Sequence, residues 1–551
     1  MKKRFLLLAL IPVLSLGLIS FQTDFFEVSK NLDIYTSLFK ELNTYYVDNV
    51  DPNKLMRKGI DAMLNDLDPY TDFISEADIE DYRFQTSGKY GGIGSLIGTR
   101  GEHVIVSEPY EGFPADKAGL KAGDKFITID GKSVVGKKTE DVSKVLKGQP
   151  GTTVKVVIKR PMADGTDKEM NFELGREEIK VKNVPYSGMV NEKIGYINLS
   201  NFTENAGDEV RLALKEIKEK NKVEGIILDL RGNPGGLLHE AVNVSNVFIE
   251  KNIEICSTKG KIEEWLKSFK TNYIAEDLDI PVCVLVNGSS ASASEIVSGS
   301  IQDLDRGIII GTKSYGKGLV QSTRNLPYNT KLKVTTAKYY IPSGRCIQAI
   351  NYAEKNEDGS VKKLPDSLKT AFKTKNGRIV YDGGGIDPDI TVEKPFLSKI
   401  AISLLTKNFL FDYATNYVLK HPTIKKPKDF TLSDEDFKDF VTYLNDKDYA
   451  YSTETENALK KFKEKAVEEK YYDAISKEYN QLITNLNHDK NKDLEKEKKE
   501  IIQLLESEII VRYYYQKGRI ELNFKHDDDI QKAVTVLQSK DDYKKYLTKN
   551  K

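Results

Sequence analysis

Cysteine is scarce in this chain of 551 residues: only Cys256, Cys283 and Cys346 are present. An odd count spread this widely does not suggest a disulfide framework, even in an exported protein. None of the three has a glycine turn or a base beside it, which disfavours a thiol nucleophile, and Cys283 lies in an apolar run where it reads as a small core residue. Histidine is equally thin. His103, His239, His421, His488 and His526 have no metal-ligand spacing, so neither a metal nor any other cofactor is expected. Charge of one sign is also missing, with 83 basic residues against 83 acidic ones, which argues against nucleic acid as the main partner. Beyond the first 20 residues no stretch is long and apolar enough to span a membrane. There is no GxSxG elbow either, which discourages a reading as a hydrolase of small esters or amides.

The chain starts MKKRFLLLALIPVLSLGLIS, a basic n-region followed by an apolar run. Residues 1–22 therefore have the form of a secretory signal, and the expected location is periplasmic or in the cell envelope. No clean small-x-small site follows, and Phe21, Phe25 and Phe26 crowd the junction, so an uncleaved anchor stands as the alternative. A chain this long divides into several domains. Residues 27–84 carry two amphipathic stretches, LDIYTSLFKELNTYYV and NKLMRKGIDAMLNDL, and read as a helical region. At the other end, residues 396–551 shift toward lysine, glutamate, aspartate and tyrosine. Leu494, Ile501, Leu504, Leu505 and Ile509 fall near helical spacing there, and the charge runs read as a solvated face.

The most informative stretch is NGSSASASEIVSGSIQDLDRGIIIGTKSYGKGLVQ, residues 287–321. PVCVLVN reads as a strand and SEIVSGSIQDL as a helix with Ile296, Ile301 and Leu304 on one side, so small polar residues join a strand to a helix. Such a turn can hold a hydroxyl beside backbone N–H donors, as acyl transfer requires. Ser292 followed by Glu295 is equally a capping box, a purely structural helix start. The second motif shifts the balance: Lys317 stands between Gly316 and Gly318. To act as a base near neutrality a lysine must lose roughly three pKa units, about 4 kcal/mol against the ammonium. Desolvation can supply this, and Ile308, Ile309, Ile310, Leu319 and Val320 offer an apolar wall, with the Gln321 amide able to orient the amine. Upstream, GIILDLRGNPGGLLHEAVNVSNVFI is a strand, a turn and a helical run in which Gly235 and Gly236 let backbone N–H groups approach a ligand. His239 is nearest to this turn, but it sits on a helix whose pattern suggests packing.

Taken together, SASASEI, YGKG with its following glutamine, LDLRGNPGG and TTAKYYIPSGRCIQ before GGGIDPDI resemble the C-terminal processing peptidases, or tail-specific proteases, over roughly residues 30–395. That resemblance implies a serine endopeptidase with a Ser–Lys dyad: Ser292 as nucleophile, Lys317 as general base, Gln321 positioning the lysine, and the N–H groups of Gly236 and Ala293 forming the oxyanion hole. Ser290 and Ser294 are then a turn residue and a helix residue. It also implies an α+β multidomain fold, with a crotonase/ClpP-like β/α catalytic core at 179–395, an inserted PDZ domain at 85–178, and helical regions at both ends.

The PDZ expectation rests on YGGIGSLIG, the following HVIVSEPYEGFPADKAGLKAGDKFITIDGKSV and a helical TEDVSKVLKG. Its loop, Gly91, Gly92, Ile93 and Gly94, would present N–H groups to a terminal carboxylate while a peptide strand pairs along SLIG. The helix carrying Val142, Val145 and Leu146 would close the groove. Such a groove would raise the concentration of a captured tail near Ser292. The expected substrates are proteins or peptides with free C-termini, cleaved near that end. The helical flanks are candidates for a homo-oligomer or an adaptor site, and an intramolecular hairpin is the alternative for the first. A non-catalytic peptide-binding or chaperone-like protein is the rival from another class.

Overall fold

The computed structural model describes residues 25–355, 361–363, 366–393, 396–449, 451–486 and 490–548. The signal segment expected at 1–22 and His488 lie outside the described residues. Among these residues no helix is long and apolar enough to cross a membrane.

The described residues up to Ser75, with Thr323–Thr335, form one compact unit. A helix over 25–45 is followed by Pro52–Asn65, which starts where Asp51 accepts hydrogen bonds from the N–H groups of Asn53 and Lys54 and Pro52 presets the first turn. Strand Asp72–Ile74 pairs antiparallel with Lys331–Lys333. The first helix leaves Phe25, Phe26, Leu32 and Leu38 exposed.

The second unit holds the remaining residues. Its first part is an antiparallel sheet of Ser95–Arg100, His103–Pro109, Lys125–Ile129, Thr153–Pro161 and Asp167–Gly175, in that order, with Ser95–Arg100 at the edge. Helix Thr139–Leu146 buries Val142 and Leu146 against Val104, Phe126, Val156 and Ile158. Val145, expected beside them, is exposed: positions 142 and 146 share the inward face, and 145 lies on its flank.

The central sheet has the order Tyr186–Met189, Ile194–Asn198, Gly225–Asp229, Val282–Val286, Ile308–Gly311 and Ile390–Thr391, with every pairing after the first parallel. GIILD, VCVLV and IIIG are buried throughout, as strands covered on both faces require. On one face Ile226, Leu228, Val282, Val284, Val286 and Ile309 pack against helices Ala206–Lys220, Leu238–Ser245 and Ala293–Asp303. On the other, Tyr196, Ile227, Leu285, Ile308 and Ile310 meet Phe524, Ile530, Ala533 and Leu537 from the last helices. Ile308 and Ile310 therefore point away from helix Ala293–Asp303 and do not wall the lysine as expected; Ile309 and Val320 lie on that helix's side of the sheet. The alternation of a strand, two residues per repeat, forces this split.

Between these layers in sequence, Lys399–Thr406, Phe409–Lys420, Asp434–Tyr443 and Lys498–Asn523 build a helical bundle around Leu404, Tyr413, Phe437, Phe440, Leu505 and Ile509. Leu494 and Ile501 are also buried, whereas Leu504 is half-buried at the edge. The 26-residue helix Lys498–Asn523 is broken at Tyr515, where φ is 54° and ψ is −160°.

Candidate active site

Strand Val282–Val286 is followed by Asn287, and helix Ala293–Asp303 begins six residues after that. Ser290 is buried, with its Oγ donating to the Leu230 carbonyl at 2.8 Å. Ser294 is also buried and donates to the Asn233 carbonyl at 2.9 Å. Both are consumed in holding the turn. Ser292, between them, is the partly exposed serine of the three. It takes φ 55° and ψ −110°, a left-handed conformation that costs a non-glycine residue about 1–3 kcal/mol.

The strain is held by Glu295, whose fully buried carboxylate joins two loops. Its Oε2 accepts the N–H groups of Ser292 at 2.8 Å and Lys317 at 2.9 Å; its Oε1 accepts the Gly316 N–H at 2.7 Å and the Ser314 hydroxyl at 2.5 Å. Burial pushes the Glu295 carboxyl up to about 7, against the pull of these hydrogen bonds. Tyr339 makes a second tie, its buried hydroxyl reaching the carbonyls of Lys317 at 2.8 Å and Ser292 at 3.2 Å. The capping reading of Ser292 and Glu295 is thus half of what the geometry contains: the same carboxylate also fixes the lysine turn. Lys317 is half-buried between Gly316, at φ 90°, and Gly318, whose N–H donates to Gln348 Oε1 at 2.6 Å. Gln321 is half-buried on the strand Leu319–Leu326 that leaves this turn.

The turn 230–236 closes the site from the neighbouring strand. Asn233 organises it: its Oδ1 accepts the Gly235 N–H at 2.9 Å, its carbonyl accepts the Ala291 N–H at 3.1 Å, and its amide donates to Leu199 at 2.7 Å. Gly235, at φ 97°, lies so close to the serine turn that a Cβ would stand 2.7 Å from the Ala291 carbonyl oxygen and 2.9 Å from Ser292 Cβ. Its N–H is occupied, whereas the N–H groups of Gly236 and Ala293 have no acceptor among the described residues. Two uncommitted donors therefore remain on the two turns that meet at Ser292. His239 is exposed and only 3.6 Å from Glu240, contrary to the packed position its helix pattern suggested. Burial raises the thiols of Cys256, up to about 12, and of Cys283 and Cys346, which keeps all three protonated.

The PDZ-like sheet carries a groove of about 870 Å³ between edge strand Ser95–Arg100 and helix Thr139–Leu146, with Ile93, Gly94, Tyr110 and Leu146 among its walls. Gly91 and Gly92 are not in it; they form a strand, Lys89–Gly92, paired with Glu177–Lys180. Ile93 and Gly94 do face the groove. Helix Ile79–Ser87 adds Asp81 and Phe84 to the wall, with Asp81 paired to Lys147 at 2.7 Å. Glu295, Tyr339, Gln348 and Asn233 carry the site's geometry and were not assigned these roles from sequence. Only the Ser292–Glu295 spacing offered a signal.

A family model described as peptidase family S41 matches residues 193–356, one described as a PDZ domain matches 105–160, and one described as the C-terminal helical domain of probable PDZ-proteases matches 400–537. A carboxy-terminal-processing protease of Bartonella bacilliformis is 39% identical over 324 residues, 58% of this chain and 73% of the relative. A probable CtpA-like serine protease of Staphylococcus haemolyticus is 31% identical over 454 residues, 81% of this chain and 80% of the relative. Among solved structures, a photosystem II D1 C-terminal processing protease matches with 26% identity and a TM-score of 0.35 over 64% of this chain and 86% of that one. The PDZ domain of a carboxy-terminal protease of Vibrio cholerae, in complex with peptide, matches with 26% identity and a TM-score of 0.16 over 17% of this chain and 99% of that one.

Proposed function

The chain belongs to the carboxy-terminal-processing serine proteases of peptidase family S41, and on that basis we propose that Ser292 and Lys317 form its catalytic dyad and that its PDZ groove selects substrates by their free C-termini. The observation that carries the proposal is the double tie, through Glu295 and Tyr339, between the strained Ser292 and the Lys317 turn. In the proposed reaction the neutral Lys317 amine takes the proton from Ser292 Oγ as that oxygen attacks the scissile carbonyl. The carbonyl π electrons move to oxygen, and this oxyanion is held by the N–H groups of Ala293 and Gly236. Collapse expels the amine, which receives the proton from the Lys317 ammonium and leaves an acyl-enzyme on Ser292. Water then attacks the acyl carbonyl, giving a proton to Lys317, and collapse breaks the ester bond: the Lys317 ammonium returns that proton to Ser292 Oγ as the new C-terminus is released. Gln321 is assigned to orienting the lysine.

For tail recognition, an incoming strand would pair along the free edge of Ser95–Arg100 and place its carboxylate at Ile93 and Gly94. Holding the tail there raises its concentration at Ser292 without new contacts at the cleaved bond. Export through residues 1–22 and the boundaries 85–178 for the PDZ domain and 179–395 for the peptidase core belong to the same proposal. The test is cleavage of an unstructured protein with an apolar C-terminus by wild type and Ser292→Ala, with a C-terminally amidated substrate in parallel. Wild-type cleavage that falls at least a thousandfold in the mutant, and falls also on amidation, is expected. Undiminished cleavage by Ser292→Ala would overturn the dyad; undiminished cleavage of the amidated substrate would overturn tail reading. A wild type as inert as the mutant would favour the peptide-binding alternative.

A further inference from the structure

Helix Lys498–Asn523 breaks at Tyr515 without proline, and the three residues at the break reach into the PDZ domain. Tyr515 donates to Asp116 at 2.7 Å, Gln516 donates to the buried Glu108, and Lys517 pairs with Glu111 at 2.8 Å. A non-helical residue inside a long helix is costly to hold, so the surroundings must enforce it. The segment gripped, Glu108–Asp116, backs the groove: Tyr110 N–H donates to the Gly94 carbonyl at 2.9 Å and Ala115 N–H to the Ile93 carbonyl at 2.8 Å.

Twelve residues further on, the same chain segment grips the turn beside Ser292. Asp527 caps helix Asp528–Gln538 and holds Arg231 Nη1 with both oxygens at 2.8 Å, and Asp529 holds it at 2.7 Å. The other edge of the Arg231 guanidinium lies on Asp229, at 2.6 Å. Arg231 opens the turn that ends in Gly235 and Gly236. Asp529 and Asp229 are almost wholly buried, so a lost partner would leave a charge without solvent. The intervening stretch is packed rather than slack: Phe524 is buried edge-on between Tyr186 and Tyr196, with centroids 5.8 and 5.0 Å away.

We propose that Tyr515–Asp529 is a strut that positions the oxyanion turn against the PDZ domain, with Asp527 and Asp529 acting through Arg231 as positioning residues. The proposal deepens the reading of Ser292 as nucleophile and rests on it. The turn's donors keep their place because both ends of the strut are gripped, so loosening the far end disturbs turnover at a site it never touches.

The test uses the full chain with Gln516→Ala/Lys517→Ala at the PDZ end, Asp527→Asn/Asp529→Asn at the turn end, and all four together. Three quantities are read: kcat and KM on the unstructured substrate, the Kd of its C-terminal peptide, and the unfolding midpoint. Each pair is expected to lower kcat five- to fiftyfold with KM and Kd within twofold, and Asp527→Glu to restore most of the loss. The fourfold variant should lose no more than the turn-end pair alone, because a strut cut twice is still one cut strut. A wild-type kcat at the PDZ end, or losses that multiply, would refute the strut. So would kcat, peptide affinity and midpoint all falling together, which would make these contacts supports of the fold alone. If Ser292→Ala cleaves normally, the site reading itself has failed; if Ser292→Ala is dead while the strut variants turn over normally, only the strut falls.

Discussion

At Gly235 a single methyl group would meet the Ala291 carbonyl oxygen at 2.7 Å and the Ala293 nitrogen at 2.9 Å, and φ is 97°. Gly235→Ala therefore forces the two turns at Ser292 apart. Steady-state kinetics should show kcat reduced at least about tenfold with KM nearly unchanged, the pattern of an interaction made in the transition state. Glu295 makes a different prediction. Burial raises its carboxyl from the ordinary 4.5 to about 7, so between those values the unfolded chain is ionised while the folded chain keeps the proton. Its contribution is full below about pH 4.5 and is lost as pH rises through 7, roughly 3 kcal/mol in all. Glu295→Gln should remove that slope, measured as the difference in denaturant stability between pH 5 and pH 8; an unaltered slope would mean another group titrates. The turns that carry Ser292, Lys317 and Gly235 were legible as turns because each motif is local in sequence. Glu295 was legible only as a cap, because its bonds to Ser314, Gly316 and Lys317 come from a loop whose approach no spacing records.

Among the elements, the glycines of the PDZ loop divide into two classes. Gly92 serves a strand, whereas Gly94, at φ 71°, turns the chain into the groove where a Cβ would stand 2.4 Å from Phe113 Cβ. Gly94→Val should weaken binding of an apolar C-terminal peptide at least about tenfold in fluorescence anisotropy, since a β-branched residue tolerates that φ poorly. Unchanged affinity would place the carboxylate elsewhere. GIILD and VCVLV were readable as strands, whereas IIIG was read only as an apolar wall, and the face each residue takes follows once the strand is known. What covers the far face was not readable, because periodicity identifies an apolar side and not its partner. The break at Tyr515 left no trace either: its neighbours, YYYQKG, lack the proline that marks most sharp kinks.

For the whole molecule, the helices after Asp527 are a layer of the catalytic sheet and not an appendage. They bury Ile194, Ile227, Leu285, Ile308 and Ile310, and Tyr543 bonds the Val282 backbone at 2.9 Å. Each such side chain is worth about 1.5–3 kcal/mol of burial. A chain ending at residue 527 should be recovered as aggregate, or as a species eluting far ahead of its mass on size exclusion; a soluble, cleaving monomer would contradict this packing.

The same layering sets a clock on the enzyme's birth. Ser292 and Lys317 leave the ribosome long before Ile530 and Leu537 are made, and at about 5–20 residues per second the interval is roughly ten seconds to most of a minute. Throughout it the catalytic sheet has one bare face and Arg231 lacks two of its three carboxylates. A chain translated only as far as Asp527 thus carries Ser292 and Lys317 on a sheet still open on one face, and under the proposed dyad cutting should follow only once Ile530 and Leu537 have been made.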